Sequence, residues 1–315
     1  MSHASPAPPA GAPRVAAVVV NHDAGDALLD CVASLRAAGV EQVVVVDNSS
    51  SDGSLERLAA ADRAALVVPT GRNLGYGRAV NLGSRRVGCE YLLVCNPDVV
   101  VGETAVRSLV AAMDAAPGAG VAGPLLRNPD GSRYPSARAF PSLAVGAGHA
   151  LLGKLAPDNR WSRAYRMADR FGQVGDGSPG DERVTVDWVS GACFLARRVA
   201  FDALGGFDER YFMYAEDLDL CWRLGRAGWD VCYVPGAEVL HLQGLTTAAR
   251  PVRMAVAHHV STWRFARVSA RGPARAALPL TAAALVVRLG ATLGAHLARA
   301  VLTGRAPRGG GALRR

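Results

Sequence analysis

Several common signatures are absent from this chain of 315 residues. The six cysteines form no C-x-x-C pair, which argues against a zinc site and favours buried free thiols in a reducing cytosol. The opening "MSHASPAPPAGAPR" has no apolar core of the kind found in signal peptides, so residues 1–13 are predicted to be a disordered lead-in. We find no internal repeat.

Two nucleotide-cofactor fingerprints are also missing. The glycine-rich stretch "GRNLGYGRAVNLG" has neither the G-x-G-x-x-G spacing of a dinucleotide site nor the lysine of a P-loop. Gly75 and Gly77 at a helix start would still let a ligand approach the backbone closely. An ordinary loop before a helix explains the pattern equally well.

Acidic residues are missing from the last part of the chain. Lys and Arg exceed Asp and Glu by 35 − 27 = 8, and no Asp or Glu follows Thr247. This excess favours an anionic partner, and the shortage of aromatic residues in the arginine-rich tail argues against nucleic acid. The apolar run 277–302 is interrupted by Arg288, which fits a helix lying on an anionic membrane surface better than a spanning one. A helix packed on the rest of the protein is the alternative.

The first hundred residues alternate β-branched runs with helical patterns. Strands are expected at 15–20, 42–46, 65–68 and 91–95, with a helix near 27–38 and another capped by Asp52 or Ser54. Such alternation predicts an α/β fold with a doubly wound, mostly parallel sheet. Further strands are expected at 184–189 and 192–196, a flexible loop at 171–183, and a helix at 217–227. In such sheets ligands bind beyond the carboxyl ends of the strands, so polar residues there mark a candidate site.

Two of these strand ends carry acidic chemistry. In "YLLVCNPDVVV", Asn96 and Asp98 follow a buried strand, and oxygen ligands of this kind suit Mg²⁺ or Mn²⁺ when a nucleotide diphosphate completes the shell. An Asx-Pro turn is the simpler explanation. Asp47 in "VVVVDNSSSDGS" is placed to accept a hydrogen bond from a nucleobase, or merely ends a strand.

The strongest constellation is "GGFDERYFMYAEDLDLCWRLGRAGW". Glu216 and Asp217 begin a helix behind three aromatic residues, as a general base beside a sugar would, although helix capping also explains acids there. Farther on, "AEVLHLQG" places His241 after a short strand, where it would complete a metal shell with Asp98, or serve only the structure.

In this order, the motifs resemble the inverting GT-A glycosyltransferases of family 2 over about residues 15–244. "PSARAFPSL", "FDERYFMYAEDLDL" and "YVPGAEVLHLQG" are most similar to rhamnosyltransferases of the WbbL type. The resemblance implies transfer of L-rhamnose from dTDP-L-rhamnose to a polyprenyl-diphosphate-linked N-acetylglucosamine in cell-wall synthesis, with inversion. It also implies a cytoplasmic protein, peripheral on the inner face of the cell membrane, where the tail would meet a lipid-linked acceptor.

The resemblance implies a role for each motif residue. Asp217 is the expected base, with Glu216 as the alternative, and Asp98 and His241 are the expected metal ligands, with Asn96 beside them. The donor site is expected to comprise Asn21, Asp47, Asn48, Asn73, Gly75, Tyr76, Gly77, Asn81, Asn96 and Asp98. The acceptor or sugar pocket is expected to contain Trp188, Gly191 and Tyr214.

The expected organisation is a lead-in at 1–13, a GT-A domain at 14–247 and a basic helical extension at 248–315. Alternatives are a family 2 transferase with another nucleotide-sugar donor, and a non-catalytic basic module that binds membrane or RNA on a degenerate fold. A nucleotidyltransferase would need a glycine-rich loop with Arg and Lys after the first strand, where this chain has "NHDAGD".

Overall fold

The structure is a computed structural model that describes residues 12–140, 183–242 and 251–302. The predicted lead-in and most of the predicted loop at 171–183 lie outside the described residues. Contacts divide the chain into two compact units. The first unit comprises the chain up to Phe212 together with Glu216–Leu245. The second unit comprises Met213–Ala215 together with the chain from Thr246 onward.

Within the described residues, the first unit is a mixed α/β structure around a sheet of ten strands, with two further strands outside that sheet. The strands of the unit are Val15–Asn21 (β1), Gln42–Asp47 (β2), Leu66–Pro69 (β3), Tyr91–Cys95 (β4), Val99–Val101 (β5), Ala119–Arg127 (β6), Arg133–Tyr134 (β7), Ala137–Arg138 (β8), Val184–Val186 (β9), Trp188–Val189 (β10), Cys193–Arg197 (β11) and Asp230–His241 (β12). Its helices are Ala27–Ala37 (α1), Ser54–Ala61 (α2), Tyr76–Ser84 (α3), Ala105–Asp114 (α4), Arg198–Ala203 (α5) and Glu216–Arg226 (α6).

The sheet has the spatial order β3-β2-β1-β4-β11-β6-β12-β5. The first four strands in this order are parallel, β11 runs antiparallel between β4 and β6, and β12 lies parallel to β6. The valine-rich strands β1 and β2 are almost wholly buried, as expected where helices cover both faces of a parallel sheet. The predicted fold class is therefore confirmed. Outside the large sheet, β8 and β10 form a separate antiparallel pair.

Two local predictions were wrong. Helix α2 has Gly53 at its N-cap, with φ at 76°, rather than Asp52 or Ser54. The Ser54 hydroxyl instead contacts Asn21 and Asp52, so tertiary contacts take it away from the cap. The strand expected at 184–189 is broken at Asp187, whose carboxylate accepts a hydrogen bond from the Phe140 amide. Its two halves pair with β12 and β8, which are in different sheets.

The second unit is helical where it is described. It contains Pro251–Ser269 (α7), a 3₁₀ turn at Gly272–Ala277 and Leu278–Leu302 (α8). Within this unit the Ser261 hydroxyl of α7 donates to the Met213 carbonyl at 2.8 Å. Within Gly272–Ala298 an 18-residue window reaches a mean hydropathy of 1.7, so by length and composition this helical stretch is capable of crossing a membrane. Its apolar side chains are exposed, Val286 and Val287 by more than 70%.

Candidate active site

The carboxyl ends of β1 and β2 place Asn21 beside Asp47. The two residues are register partners, and the Asn21 amide donates to the Asp47 carboxylate at 3.1 Å. Asp47 also accepts from the Ser50 amide at 3.1 Å and from the Ser50 hydroxyl. Both rim residues are buried. A carboxylate has about four lone-pair sites, so these three donors leave Asp47 one acceptor position.

The glycine-rich stretch before α3 is anchored to the same rim. The Asn48 side chain donates to the Gly75 carbonyl and accepts from the Leu74 amide, both at 3.2 Å. The Asn73 side chain accepts from the Gly75 amide at 2.9 Å. Gly75 has φ at +86°, and a Cβ there would lie 2.2 Å from the Phe212 carbonyl oxygen. Only glycine fits this position, and its lack of a side chain lets the loop pack directly against the backbone of Phe212.

Two further residues of α3 hold the segment that leads to α6. Asn81 exchanges two hydrogen bonds of 2.9 Å with the backbone of Phe207, one in each direction. A Cβ on Gly77 would lie 2.9 Å from the Phe207 side chain. The amide of Asn81 is therefore engaged by the chain itself, and the residue fixes the loop between α5 and α6.

The predicted metal ligands Asp98 and His241 come together through strand pairing. His241 ends β12 and is the antiparallel partner of Val99 in β5, and the Leu242 amide donates to the Asp98 carbonyl at 2.9 Å. Asp98 Oδ1 lies 3.4 Å from His241 Nε2. Both side chains are buried, and neither Asp98 Oδ1 nor His241 Nδ1 has a hydrogen-bond partner among the described residues.

This pair fits a divalent cation as far as the donor set goes. A buried carboxylate oxygen and an imidazole nitrogen are ordinary ligands for Mn²⁺, and an unpartnered buried carboxylate oxygen is costly without a cation or a donor. No group of three or more His, Cys, Asp or Glu side chains is placed to hold a metal within residues 12–140, 183–242 and 251–302. The protein therefore offers two ligands here, and a bound phosphate would have to supply others.

Glu216 and Asp217 occupy the first turn of α6 and point in different directions. Asp217 is half-buried and its carboxylate accepts from the Gly191 and Leu218 amides, both at 2.8 Å. Glu216 is buried beside α3, and its Oε2 has no partner in the described part of the chain. Nearby, Asp219 forms a 2.6 Å ion pair with Arg223, so this third acid of the motif serves the fold.

Burial and mutual repulsion separate the two neighbouring carboxyl groups chemically. Burial, followed by the charge of Asp217, raises the pKa of Glu216 to about 8. Burial also raises the pKa of Asp217, but the Gly191 and Leu218 amides and the charge of Arg138 act in the opposite direction. Only Asp217 has backbone donors that favour its ionised form, the form that a general base requires.

A cation beside this pair was missed by sequence reasoning. Arg138 is the register partner of Trp188, and its guanidinium lies over the Trp188 ring at 4.8 Å from the centroid and over the Tyr134 ring at 5.6 Å. Tyr134 in turn packs edge-on against the His241 ring, with centroids 5.5 Å apart. Arg138 lies in the stretch "PSARAFPSL", but the sequence assigned it no role because its neighbours at the site come from distant parts of the chain.

Of the expected sugar-pocket residues, two lie in the first unit and one in the second. Trp188 is buried and its indole N–H donates to the Ala139 carbonyl at 3.1 Å, while the Gly191 carbonyl accepts from the Tyr76 hydroxyl at 2.6 Å. Tyr214 belongs to the second unit, where its ring contacts His258 with centroids 5.4 Å apart. Tyr214 and Ala215 both have left-handed backbone angles, at φ 68° and 61°.

A cavity of about 720 Å³ lies away from all these residues. It sits at the start of β1 and along α4, between side chains that include Arg14, Glu41, Arg107 and Asp114. No residue of the predicted site lines it. The site is defined by converging side chains at the opposite ends of the strands, not by this cavity.

Comparison with known proteins supports the same interpretation. The sequence profile of glycosyl transferase family 2 matches residues 16–172, and that of glycosyl transferase family group 2 matches residues 156–287. An N-acetylglucosaminyl-diphospho-decaprenol L-rhamnosyltransferase of Mycobacterium tuberculosis is 43% identical over 261 residues. That match covers 79% of this chain and 82% of the relative.

Solved structures show the same fold at low sequence identity. A mannosyltransferase of Pyrobaculum calidifontis, solved with GDP-Man and Mn²⁺, superposes with a TM-score of 0.57 at 18% identity, covering 93% of this chain and 77% of the other. GalNAc-T7, solved with UDP, GalNAc and Mn²⁺, gives a TM-score of 0.54 at 15% identity, covering 74% and 44%. At these identities the likeness concerns the fold alone.

Proposed function

The chain belongs to glycosyl transferase family 2, and we propose that it transfers L-rhamnose from dTDP-L-rhamnose to a polyprenyl-diphosphate-linked N-acetylglucosamine. The observation that carries the proposal is the orientation of the Asp217 carboxylate by the Gly191 and Leu218 amides, beside the buried Glu216 at the start of α6. The extensive identity to an L-rhamnosyltransferase with a lipid-linked acceptor supports the choice of substrates.

Asp217 acts as the general base. Two backbone amides hold its carboxylate in one orientation, so a lone pair is directed at the acceptor hydroxyl without the entropy loss of ordering a free side chain. As the oxygen attacks the anomeric carbon, Asp217 accepts the hydroxyl proton and the nucleoside diphosphate departs on the opposite face. One such displacement inverts the anomeric centre.

The donor is bound along the rim formed by β1, β2 and the loop before α3. Asp47 accepts a hydrogen bond from the imide N–H of the base at its remaining acceptor position. Asn21 and Ser50 orient the carboxylate, and the Ser54 hydroxyl accepts from the Asn21 amide. Gly75 and Gly77 let the loop and α3 pack directly on Phe212 and Phe207. This packing fixes the rim beside Asn48, Asn73 and Tyr76, where we place the sugar nucleotide.

Asp98 and His241 would hold a divalent cation, Mg²⁺ or Mn²⁺, with Asn96 beside them. When bound, such an ion supplies positive charge that stabilises the leaving diphosphate. The unpartnered atoms of this buried pair support the assignment.

The second unit attaches the protein to the cytoplasmic face of the cell membrane. Exposed apolar side chains along α8 and the arginines of this unit favour contact with an anionic bilayer surface, where a polyprenyl-linked acceptor resides.

The test is transfer from dTDP-L-rhamnose to N-acetylglucosaminyl-diphospho-polyprenol, with Mg²⁺ or Mn²⁺ and then with chelator. We expect product only with metal, and mass spectrometry should show one added deoxyhexose. Activity with UDP-, GDP- or another dTDP-sugar instead would retain the transferase and reject rhamnose. A folded protein that is inactive with every donor would reject the enzymatic assignment.

A further inference from the structure

A positively charged side chain lies among the acidic groups of the site and has no role in the mechanism above. Arg138 acts electrostatically on Asp217, and it contacts Tyr134, which packs on His241. It is therefore located between the base and the predicted metal ligands. Its position follows from the β8–β10 pair, because β10 ends two residues before Gly191, the residue that holds Asp217.

The guanidinium is fixed in orientation. The Trp188 and Tyr134 rings flank it, Nε donates to the Pro135 carbonyl at 2.7 Å, and Nη2 donates to the Tyr134 hydroxyl at 3.3 Å. Stacking on aromatic faces restrains the plane of an arginine while leaving its charge intact. A planar guanidinium held in this way is suited to binding a phosphate through two parallel N–H groups.

The charges of the reaction indicate which phosphate this is. Both proposed substrates carry a diphosphate, and the donor's already has the cation at Asp98 and His241. The acceptor's diphosphate must approach Asp98, Glu216 and Asp217, and the mechanism above requires Asp98 and Asp217 to be negatively charged. The diphosphate therefore needs a positive charge on the side of the site where Asp217 lies. Arg138 lies on that side, because its strand pairs with β10, which leads directly to Gly191 and the Asp217 carboxylate that Gly191 holds.

We propose that Arg138 binds the diphosphate of the lipid-linked acceptor, held in place by Trp188 and Tyr134, and so selects sugar diphosphates over neutral glycosides. The inference rests on the proposed function, because it takes the acceptor to be a diphospho-linked sugar. It adds a substrate-binding role for Arg138, to which the sequence motifs assigned none.

The experiment compares Arg138→Gln and Arg138→Lys with wild type on two acceptors. One is N-acetylglucosaminyl-diphospho-polyprenol, and the other is octyl N-acetylglucosaminide, which has the same sugar without phosphate. Arg107→Gln, on an exposed face of α4, is the matched control for loss of one arginine.

We expect Arg138→Gln to raise the KM for the diphosphate acceptor about 10–100-fold, as loss of a charged hydrogen-bonding partner does. In the same variant, the KM for the donor and the rate with the neutral glycoside should change less than about threefold. Arg138→Lys should restore part of the affinity for the diphosphate acceptor, because lysine keeps the positive charge but lacks the paired N–H groups of arginine.

Three results would overturn the inference. Equal losses of activity on both acceptors would mean that Arg138 positions Asp217 or supports the fold. An increase confined to the KM for the donor would mean that Arg138 binds the leaving diphosphate. No change in any of these constants would exclude phosphate binding by Arg138. Wild-type activity decides the proposed function separately, because a wild type inactive on both acceptors contradicts that function whatever the variants do.

Discussion

The Gly191 amide donates a hydrogen bond of 2.8 Å to the Asp217 carboxylate. The bond joins the short segment after β10 to the first turn of α6, and it fixes one oxygen of Asp217 while the Leu218 amide fixes the other. Two backbone donors favour the ionised form of a carboxylate and oppose the effect of burial, and the ionised form is the state that a proton acceptor requires.

Replacement of Asp217 by Asn should remove proton abstraction and leave substrate binding largely unchanged. We expect kcat to fall about 10²–10⁴-fold, as for loss of a general base. Steady-state kinetics with both substrates measures this, with Asp202→Asn, on the exposed side of α5, as control. A kcat within threefold of wild type would transfer the role of base to another group.

Replacement of Gly191 by Ala should displace the base without removing it. The added Cβ would lie 3.2 Å from both Cβ and Oδ2 of Asp217, closer than ordinary contact. We expect kcat to fall about 10–100-fold, because small misplacements of a reacting group are expensive. Gly88→Ala is the matched control, since a Cβ there meets nothing within 4 Å. Equal activity of both variants would contradict the geometry.

Glu216 should make the folded chain less stable as pH rises. Its pKa is about 8 in the folded chain against 4.5 for a solvated glutamate, so between these values the folded state binds the additional proton. The unfolding free energy contributed by this group is therefore greatest below pH 4.5 and falls until pH reaches about 8. In thermal melts, the Tm of Glu216→Gln relative to that of wild type should therefore rise as pH increases from 4.5 to about 8.

The control for this experiment is Glu56→Gln, on an exposed face of α2, which should keep a constant Tm difference from wild type. A constant difference for Glu216→Gln as well would mean that the buried carboxyl is ionised throughout.

Removal of either predicted metal ligand should weaken metal binding more than folding. For Asp98→Asn and His241→Ala we expect the Mn²⁺ concentration at half-maximal activity to rise at least about tenfold, as for loss of one charged ligand contact. Titration of metal into chelator-treated enzyme measures this, and circular dichroism checks the fold. Unchanged metal dependence in both variants would place the ion elsewhere.

Removal of residues 272–315 should abolish binding to vesicles that contain phosphatidylglycerol. Full-length protein should cosediment with these vesicles and be partly released by high salt, because arginine contacts with lipid headgroups are screened. Retention of all protein at high salt would instead favour a membrane-spanning α8. Equal binding of the truncated chain would assign membrane contact to another surface.

Much of the fold was predictable because its signals are local. Continuous apolar runs predicted β1, β2 and β4 nearly to the residue, since a buried parallel strand needs apolar side chains on both faces. Helix α6 was also expected within one residue, because its acidic start and its glycine after the last turn are local too. Prediction failed at α2, where Ser54 turns to Asn21 and leaves Gly53 at the cap.

The candidate site was also predictable only in part. The sequence alone determined which chemistry is present: carboxylates at strand ends, an acidic pair opening α6 and a late histidine. Tertiary structure alone decided which groups meet, bringing Asp98 to His241 through the pairing of β5 with β12 and placing Arg138 near Asp217 through the pairing of β8 with β10. It also made Asp217 and Glu216 chemically different, because burial and backbone donors depend on neighbours far away in sequence, and no local pattern records them.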